Sequence, residues 1–248
     1  MKKIELNENE RIDDLQIKGY RIIQNPKAFC FGMDAVLLSY FAKIKKNSRV
    51  MDLCSGNGVI PLLLDAKYPV SYIEGLEYQE ESVQMAVRSV QMNEREEKIV
   101  IRQGDVKEVK TICPREEFDY VTCNPPYMVG EHGLKNPDEK KAIARHEIKC
   151  TLNDVIEASA WLLKQYGHLI MVHRPFRLAE IIYCLKEHKL EPKRMRLVYP
   201  YIDKEPNMVL IDAIKGAKQR VTVEAPLIIY NKDGSYTEEI SRLYEQDC

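Results

Sequence analysis

The chain has 248 residues, of which 45% are hydrophobic and 30% are charged, and its formal net charge is −1. This length and hydrophobic content are enough for the core of one α/β domain with a small appendage. The balanced charge argues against a basic protein that coats nucleic acid nonspecifically. A nucleic-acid partner would therefore have to be bound by local patches.

The cysteines and the apolar runs indicate the cellular compartment. The seven cysteines are scattered and include no C-x-x-C pair, so we expect neither a disulfide framework nor a zinc site or other metal centre. The first residues become acidic where a signal peptide would need an apolar stretch, and no apolar run reaches the length of a membrane span. We therefore expect a cytoplasmic protein without a membrane partner.

Residues 1–33 are polar with short apolar pieces and are predicted to form an N-terminal extension. Within them, the apolar pieces 15–17 and 20–23 flank a Lys-Gly pair, a pattern typical of a small hairpin. The main domain is predicted to cover residues 34–248. Its first residue, Asp34, can be the N-cap of the next helix or a ligand contact, and both interpretations stay open.

A short apolar helix is predicted over 35–42, and strands alternate with helices from residue 49 onward. The predicted strands are 50–54, 71–78, 98–102, 118–123, 168–173, 195–199 and 208–214. Alternation at this spacing requires a mostly parallel sheet with helices on both faces, and the last two strands are close enough to be antiparallel neighbours. The sequence therefore predicts a doubly wound α/β fold with a seven-stranded sheet and an antiparallel last strand.

Polar residues follow the apolar strands at four strand ends of the predicted sheet. These are the loop 52–58, Glu77, Asp105 and Asn124. In a doubly wound sheet, ligands bind beyond the carboxyl ends of the strands, where the strand order reverses. Four such ends with polar groups predict one pocket.

The glycine loop indicates the kind of ligand. Gly56 and Gly58 let the backbone approach a ligand closely, although they could also make only a tight turn. Pro61 stands near the place where a dinucleotide fingerprint needs a small residue, which disfavours NAD. Glu77 lies about 20 residues beyond the loop, the offset at which a carboxylate meets ribose hydroxyls, and it favours a cation such as a sulfonium. Asp105 can accept a hydrogen bond from an adenine amino group.

The tetrapeptide Asn124-Pro125-Pro126-Tyr127 is the most specific pattern in the chain. Two consecutive prolines cannot extend a sheet, so the chain leaves the strand on a rigid path. That path fixes the Asn124 side chain and the Pro125 carbonyl as two acceptors for the hydrogens of a conjugated amino group, whose nitrogen then becomes more nucleophilic. Tyr127 can stack on the planar acceptor. Positioning and preorganised dipoles would accelerate methyl transfer without a strong general base.

These segments together resemble the bacterial tRNA1(Val) adenine-N6 methyltransferase family, whose members are class I S-adenosylmethionine-dependent enzymes with the N-P-P-Y motif. The resemblance extends from about residue 11 to the final strands and is carried by segments 29–38, 52–58, 75–77, 124–127 and 145–147. It implies a Rossmann-like fold, S-adenosyl-L-methionine as the cofactor and tRNA as the partner. The implied acceptor is the adenine just 3′ of the anticodon.

The resemblance also assigns roles to residues. It implies that Asn124 and Tyr127 contact the target base and that Asp34 lies near the methyl donor. The expected catalytic group is Asn124, Pro125, Pro126 and Tyr127. The expected cofactor-binding residues are Asp34, Asp52, Ser55, Gly56, Asn57, Gly58, Glu77, Asp105 and Asn124.

Other enzymes share the N-P-P-[YF] motif, so alternatives stay open. Protein glutamine-N5 methyltransferases of release factors carry it, but they have a helical domain before the glycine loop, and only about 50 residues precede that loop here. Guanine-N2 RNA methyltransferases are a second alternative. DNA adenine methyltransferases usually carry a further recognition region, which we do not find. A non-catalytic RNA-binding protein is less consistent with the intact tetrapeptide.

Three basic sets could contact RNA or could form solvated faces. They are Lys135, Lys140, Lys141 and Arg145; Lys193, Arg194 and Arg196; and Lys215, Lys218 and Arg220. The polar stretch 130–146 is expected to be mobile without substrate. The sequence leaves open whether Arg145 and His146 contact substrate, and it does not indicate an oligomeric state.

Overall fold

A mostly parallel sheet organises the residues that the computed structural model describes, namely 2, 4–27, 30–127 and 150–245. Two short strands, β1 (Arg11–Asp14) and β2 (Arg21–Gln24), form a separate antiparallel hairpin. The strands of the main sheet are β3 (Arg49–Leu53), β4 (Tyr72–Glu77), β5 (Ile99–Gln103), β6 (Phe118–Cys123), β7 (Leu163–His173), β8 (Leu190–Tyr199), β9 (Met208–Lys215), β10 (Thr222–Val223) and β11 (Leu227–Ile228).

Helices pack on both faces of this sheet. They are α1 (Met33–Phe41), α2 (Val59–Lys67), α3 (Glu80–Met92), α4 (Val109–Ile112), α5 (Leu152–Leu162), α6 (Leu178–Glu187) and α7 (Glu238–Glu245). Successive strand residues point to opposite faces. Val50 and Ile170 therefore pack in the apolar cluster of α1, α2 and α7, whereas Met51 and Met171 pack in that of α4, α5 and α6. No helix in the described ranges is both long enough and apolar enough to cross a membrane.

The strand order is β10-β8-β9-β7-β6-β3-β4-β5, with β11 also paired to β8. β9 is antiparallel to its neighbours β7 and β8, and the other pairs of the sheet are parallel. The predicted Rossmann-like fold is confirmed. The antiparallel strand comes last in the chain among the seven long strands, but it lies between β7 and β8. Two further strands of two residues each, too short to show a sequence pattern, bring the described sheet to nine strands.

The strand order fixes the place for a ligand. β3, β4, β5, β6 and β7 are parallel, so they end at the same edge, which we call the carboxyl edge. β3 pairs with β4 on one side and with β6 on the other, so the order of strands along the chain reverses at β3. A crevice opens at such a reversal.

The N-terminal hairpin forms, and its second strand nearly coincides with the predicted piece 20–23, but its first strand is Arg11–Asp14 and not 15–17. Leu15 and Ile17 are buried in the turn and join the core next to α1 and α2, instead of pairing in a strand. The turn is closed by hydrogen bonds between the backbones of Leu15 and Tyr20 and of Tyr20 and Ile17. β2 contacts α3, where the Ile23 amide donates to Ser89 Oγ at 2.9 Å. The division into an extension and a main domain stays a prediction.

We predict that the hairpin contributes to the stability of the whole fold. Ile22 in β2 is completely buried, so Ile22→Ala should lower the free energy of unfolding by about 2–5 kcal/mol. Ile12 in β1 is 39% exposed, so Ile12→Ala should change it by about 0.5 kcal/mol or less. Urea unfolding followed by circular dichroism measures both. Equal effects of the two substitutions would contradict the packing of the hairpin against the core.

Candidate active site

A cavity opens at the carboxyl edge, where the ends of β3, β4, β5 and β6 meet. Its walls include seven of the predicted site residues: Ser55, Gly56, Asn57, Glu77, Asp105, Asn124 and Pro126. The structure therefore brings all four predicted strand ends to one pocket. The predicted residues that do not line it are Asp34, Asp52, Gly58, Pro125 and Tyr127.

The loop between β3 and α2 turns on left-handed backbone. Gly56 and Gly58 have φ angles of 55° and 81°, and Cys54 has a φ of 57°. A Cβ atom at Gly58 would lie 3.0 Å from the Cβ of Ala86, so both the backbone angle and the space favour glycine there. Gly58 therefore lets the loop pass close to Ala86 of α3. The Asn57 side chain ties the loop to the hairpin, since its Nδ2 donates to the Ile23 carbonyl at 3.3 Å.

Glu77, at the end of β4, holds the loop in place. Its Oε2 accepts the Gly56 amide and its Oε1 accepts the Gln79 amide, each at 2.8 Å. The residue is 7% exposed, and its burial raises the pKa of the carboxyl, while the amide donors act in the opposite direction. Each carboxylate oxygen keeps a lone pair beyond the one used by the amide. Glu77 can therefore position the loop and still accept hydrogen bonds from a ligand.

Asp52 lies beneath the cavity, completely buried in β3. Its Oδ1 accepts the Thr122 hydroxyl at 2.6 Å, whereas its Oδ2 has no hydrogen-bond partner among the described residues. Burial raises the pKa of Asp52 to about 7; the hydroxyls of Thr122 and Ser55 act to lower it, and the nearby charge of Glu77 acts to raise it. The Asn57 Oδ1 is a second buried oxygen without a partner in the described part of the chain. Asn57 lines the cavity, so its oxygen can accept an N–H donor of a ligand, whereas Asp52 does not line it and can favour a ligand only through its charge.

Asp105 both caps a turn and lines the cavity. Its Oδ1 accepts the Lys107 amide at 2.9 Å and caps a 3-10 turn at Val106–Glu108. Asp105 can cap this turn and still accept a hydrogen bond from a ligand, because the carboxylate has further lone pairs.

Asp34 reaches the tetrapeptide through a hydrogen bond. The N-cap position of α1 is Gly32, so Asp34 lies in the first turn of the helix and is not its N-cap. Its Oδ2 accepts a hydrogen bond from the hydroxyl of Tyr127. The same hydroxyl lies 3.1 Å from the Asn124 Oδ1. Burial, together with the charge of Asp34, raises the pKa of Tyr127, so its hydroxyl stays protonated.

His173 and Arg174, which follow the apolar part of β7, contact Tyr127. Neither was predicted as a site residue. The Arg174 guanidinium carbon lies 4.6 Å from the centre of the Tyr127 ring. The buried His173 ring packs edge-to-face on Tyr127, with 5.6 Å between centroids. Burial lowers the pKa of His173 to about 4, so the ring is neutral near pH 7. The signal in the sequence was a polar pair directly after an apolar strand, as at the other strand ends.

The structure describes the second and third of the predicted basic sets. Arg194 forms ion pairs with Asp212 and Glu224, and Arg196 pairs with Glu239. Lys215 lies at the end of β9, at the edge opposite the cavity, and donates to Glu116 and to the backbone carbonyls of Ala160 and Leu163. These residues therefore stabilise the fold. The first set, with Arg145, His146 and the stretch 130–146, lies outside the described residues.

The chain is similar to known methyltransferases along most of its length. A Porphyromonas gingivalis protein named tRNA1(Val) (adenine(37)-N6)-methyltransferase is 27% identical over 241 residues, covering 94% of each chain. A predicted O-methyltransferase from Agrobacterium tumefaciens has a similar structure, with a TM-score of 0.69 at 24% identity over 86% of this chain and 96% of that one. A geranyl diphosphate C-methyltransferase from Streptomyces coelicolor A3(2), in complex with Mg2+, geranyl diphosphate and S-adenosyl-L-homocysteine, has a TM-score of 0.56 at 12% identity over 73% and 79% of the two chains.

These two structures show the fold of this chain, and a match to a family model shows its family. The sequence model described as methyltransferase small domain matches residues 20–188. That span runs from the hairpin to the end of α6 and contains all four strand ends of the cavity. The chain therefore belongs to the methyltransferase small domain family and is a methyltransferase.

Proposed function

We propose that this enzyme methylates the exocyclic N6 amino group of an adenine in tRNA, with S-adenosyl-L-methionine as the methyl donor. The observation that carries the proposal is the position of Asn124, whose side chain lines the cavity and lies beside the Tyr127 hydroxyl. The names of the curated relatives support tRNA as the substrate. A tRNA substrate also supports a cytoplasmic location.

The cofactor fits the charges of the cavity. S-adenosyl-L-methionine supplies an electrophilic methyl group on a sulfonium cation. Glu77 is placed to bind the ribose hydroxyls, since this carboxylate stands at the end of β4 and keeps lone pairs. Asp105 can accept the adenine amino group of the donor. The buried Asp52 contributes negative charge beneath the loop, which favours a cationic ligand.

The tetrapeptide binds the acceptor in this proposal. Asn124 Oδ1 and the Pro125 carbonyl accept the two hydrogens of the amino group, and Pro126 keeps the turn rigid. The Tyr127 hydroxyl has one proton and two nearby oxygens. A charged carboxylate is the stronger acceptor, so the proton goes to Asp34 and the Asn124 oxygen stays available to the amino group. Asp34 is thus a positioning residue for Tyr127.

The preferred acceptor is the adenine just 3′ of the anticodon, as the name of the relatives indicates. A loop base is already unpaired, so its extrusion into the site costs little compared with a base in a duplex. Mass spectrometry of nucleosides from tRNA of cells with and without the gene tests this. Loss of N6-methyladenosine from one tRNA supports the proposal. Loss of a methylated guanine, or of methylglutamine from a release factor, would replace it by one of the alternatives.

Asn124→Ala is expected to lower kcat about 10²–10³-fold, the cost of removing one preorganised polar group from an active site. Cofactor affinity should change far less, because several other groups line the cavity. The assay is transfer of a labelled methyl group to unmodified tRNA. Asn153→Ala is the matched control, since Asn153 is exposed on α5. A wild-type kcat in the Asn124 variant would contradict the proposed role.

Cofactor affinity is expected to rise with pH. The pKa of Asp52 is about 7, and a sulfonium binds better beside the ionised carboxylate than beside the neutral acid. Affinity should therefore increase from about pH 6 to about pH 8, and Asp52→Asn should bind more weakly and lose this increase. Isothermal titration calorimetry measures it, with S-adenosyl-L-homocysteine, which lacks the sulfonium charge, as the control. An unchanged pH dependence in the variant would exclude Asp52 as its origin.

A further inference from the structure

A rigid turn after β7 exposes an aromatic ring. Pro175–Arg177 forms a single 3-10 turn between the end of β7 and α6. Arg177 is buried, and its guanidinium forms two hydrogen bonds with Glu180, at 2.8 and 2.6 Å. The ring of Phe176 between these anchored neighbours is 78% exposed. The turn therefore holds a large apolar side chain in solvent, where it contributes little to the core.

The residue before this turn is a cation without a carboxylate partner in the described part of the chain. Arg174 donates one Nη1 hydrogen bond to the Asn207 carbonyl at 2.8 Å, and its guanidinium lies against the Tyr127 ring. By contrast, Arg177, Arg194 and Arg196 all pair with carboxylates. A guanidinium has five N–H donors in a planar fork that matches a phosphate. Arg174 can therefore bind an anion without breaking an ion pair within the described residues.

The turn lies beside the acceptor site. β6 and β7 are parallel neighbours, and Cys123 pairs with Met171, so the residues after both strands emerge together at the carboxyl edge. The contact between Arg174 and Tyr127 joins the two segments directly. Phe176 follows Arg174 by two residues, in the turn Pro175–Arg177, and is exposed. The acceptor site thus continues into a cation followed by an exposed aromatic ring.

We propose that Arg174 and Phe176 bind the nucleotide next to the acceptor base of the RNA: Phe176 stacks on the neighbouring base, and Arg174 contacts the phosphate between the two. This inference rests on the proposed function. A single ring beside a cation suits a nucleotide, which has one flat base and one negative phosphate. An apolar peptide would need a contiguous apolar patch.

The first test compares Phe176→Ala, Phe176→Trp and the wild type on an anticodon stem-loop RNA with an unmodified adenine 3′ of the anticodon. Phe176→Ala should raise the KM for RNA about tenfold, the usual effect of losing one base–aromatic stack. Its kcat and its affinity for S-adenosyl-L-methionine should stay at wild-type values, and Phe176→Trp should restore the KM. The matched control is Tyr166→Ala, because Tyr166 is 66% exposed near the other end of β7.

A second set of RNAs separates stacking from a general change of the surface. These RNAs carry an abasic site on the 5′ or the 3′ side of the acceptor adenine. For the wild type, the KM of one of these RNAs should be higher than that of intact RNA, by the same factor by which Phe176→Ala raises the KM of intact RNA. On that RNA, Phe176→Ala should raise the KM no further, since both changes remove the same contact. Additive losses on both RNAs would overturn the stacking assignment.

Arg174 is tested by the salt dependence of RNA binding. Arg174→Gln keeps a planar group near Tyr127 but removes the charge, so the slope of log K against log salt should fall in magnitude by about one. Arg174→Lys keeps the charge and should keep the slope. A role of Arg174 only in packing Tyr127 would leave the slope unchanged in both variants.

The outcomes distinguish this proposal from the proposed function. If the wild type neither binds nor methylates the RNA, both fail. If it methylates the adenine while Phe176→Ala behaves like Tyr166→Ala, and Arg174→Gln keeps the wild-type salt slope, the proposed function stands and the nucleotide site is wrong.

Discussion

The hydrogen bond from the Gly56 amide to the Glu77 carboxylate joins the ends of β3 and β4, two of the four strands at whose ends the cavity forms, and the Gln79 amide donates to the same carboxylate. Burial of a carboxylate is unfavourable unless donors surround it, and here the backbone of the glycine loop supplies them. The loop in turn adopts left-handed angles at Gly56 and Gly58 that few other residues tolerate. One buried charge therefore fixes the path of the loop that lines the cavity.

The acceptor side of the site depends on a second junction, around Tyr127. α1 contributes Asp34 to its hydroxyl, and the end of β7 contributes His173 and Arg174 to its ring. Two segments distant in the chain from Tyr127 thus set the position of its side chain. In the proposed function, a rigid, prealigned acceptor site would lower the reorganisation needed for methyl transfer.

The net charge of −1 agrees with a site that depends on a few specific contacts and not on a generally basic surface. Of the basic side chains that the sequence brought to attention, Arg194, Arg196 and Lys215 form ion pairs in the described part of the chain. Buried pairs of this kind are costly to break, because removal of one partner leaves the other charge uncompensated. A cation beside the acceptor site without such a pair is therefore more informative about RNA than the number of basic residues.

The sequence by itself determined the alternation of strands and helices, the four polar strand ends and the rigid exit at Pro125 and Pro126, because these patterns are local. The tertiary structure decided the rest. Asp34 is a residue type that often caps helices, but the helix begins at Met33, two residues before the predicted start, and the Asp34 carboxylate meets Tyr127, 93 residues away in the chain. Similarly, Arg174 meets Tyr127 only because β7 lies beside β6. Such contacts follow from the order of strands in the sheet, which no local pattern encodes.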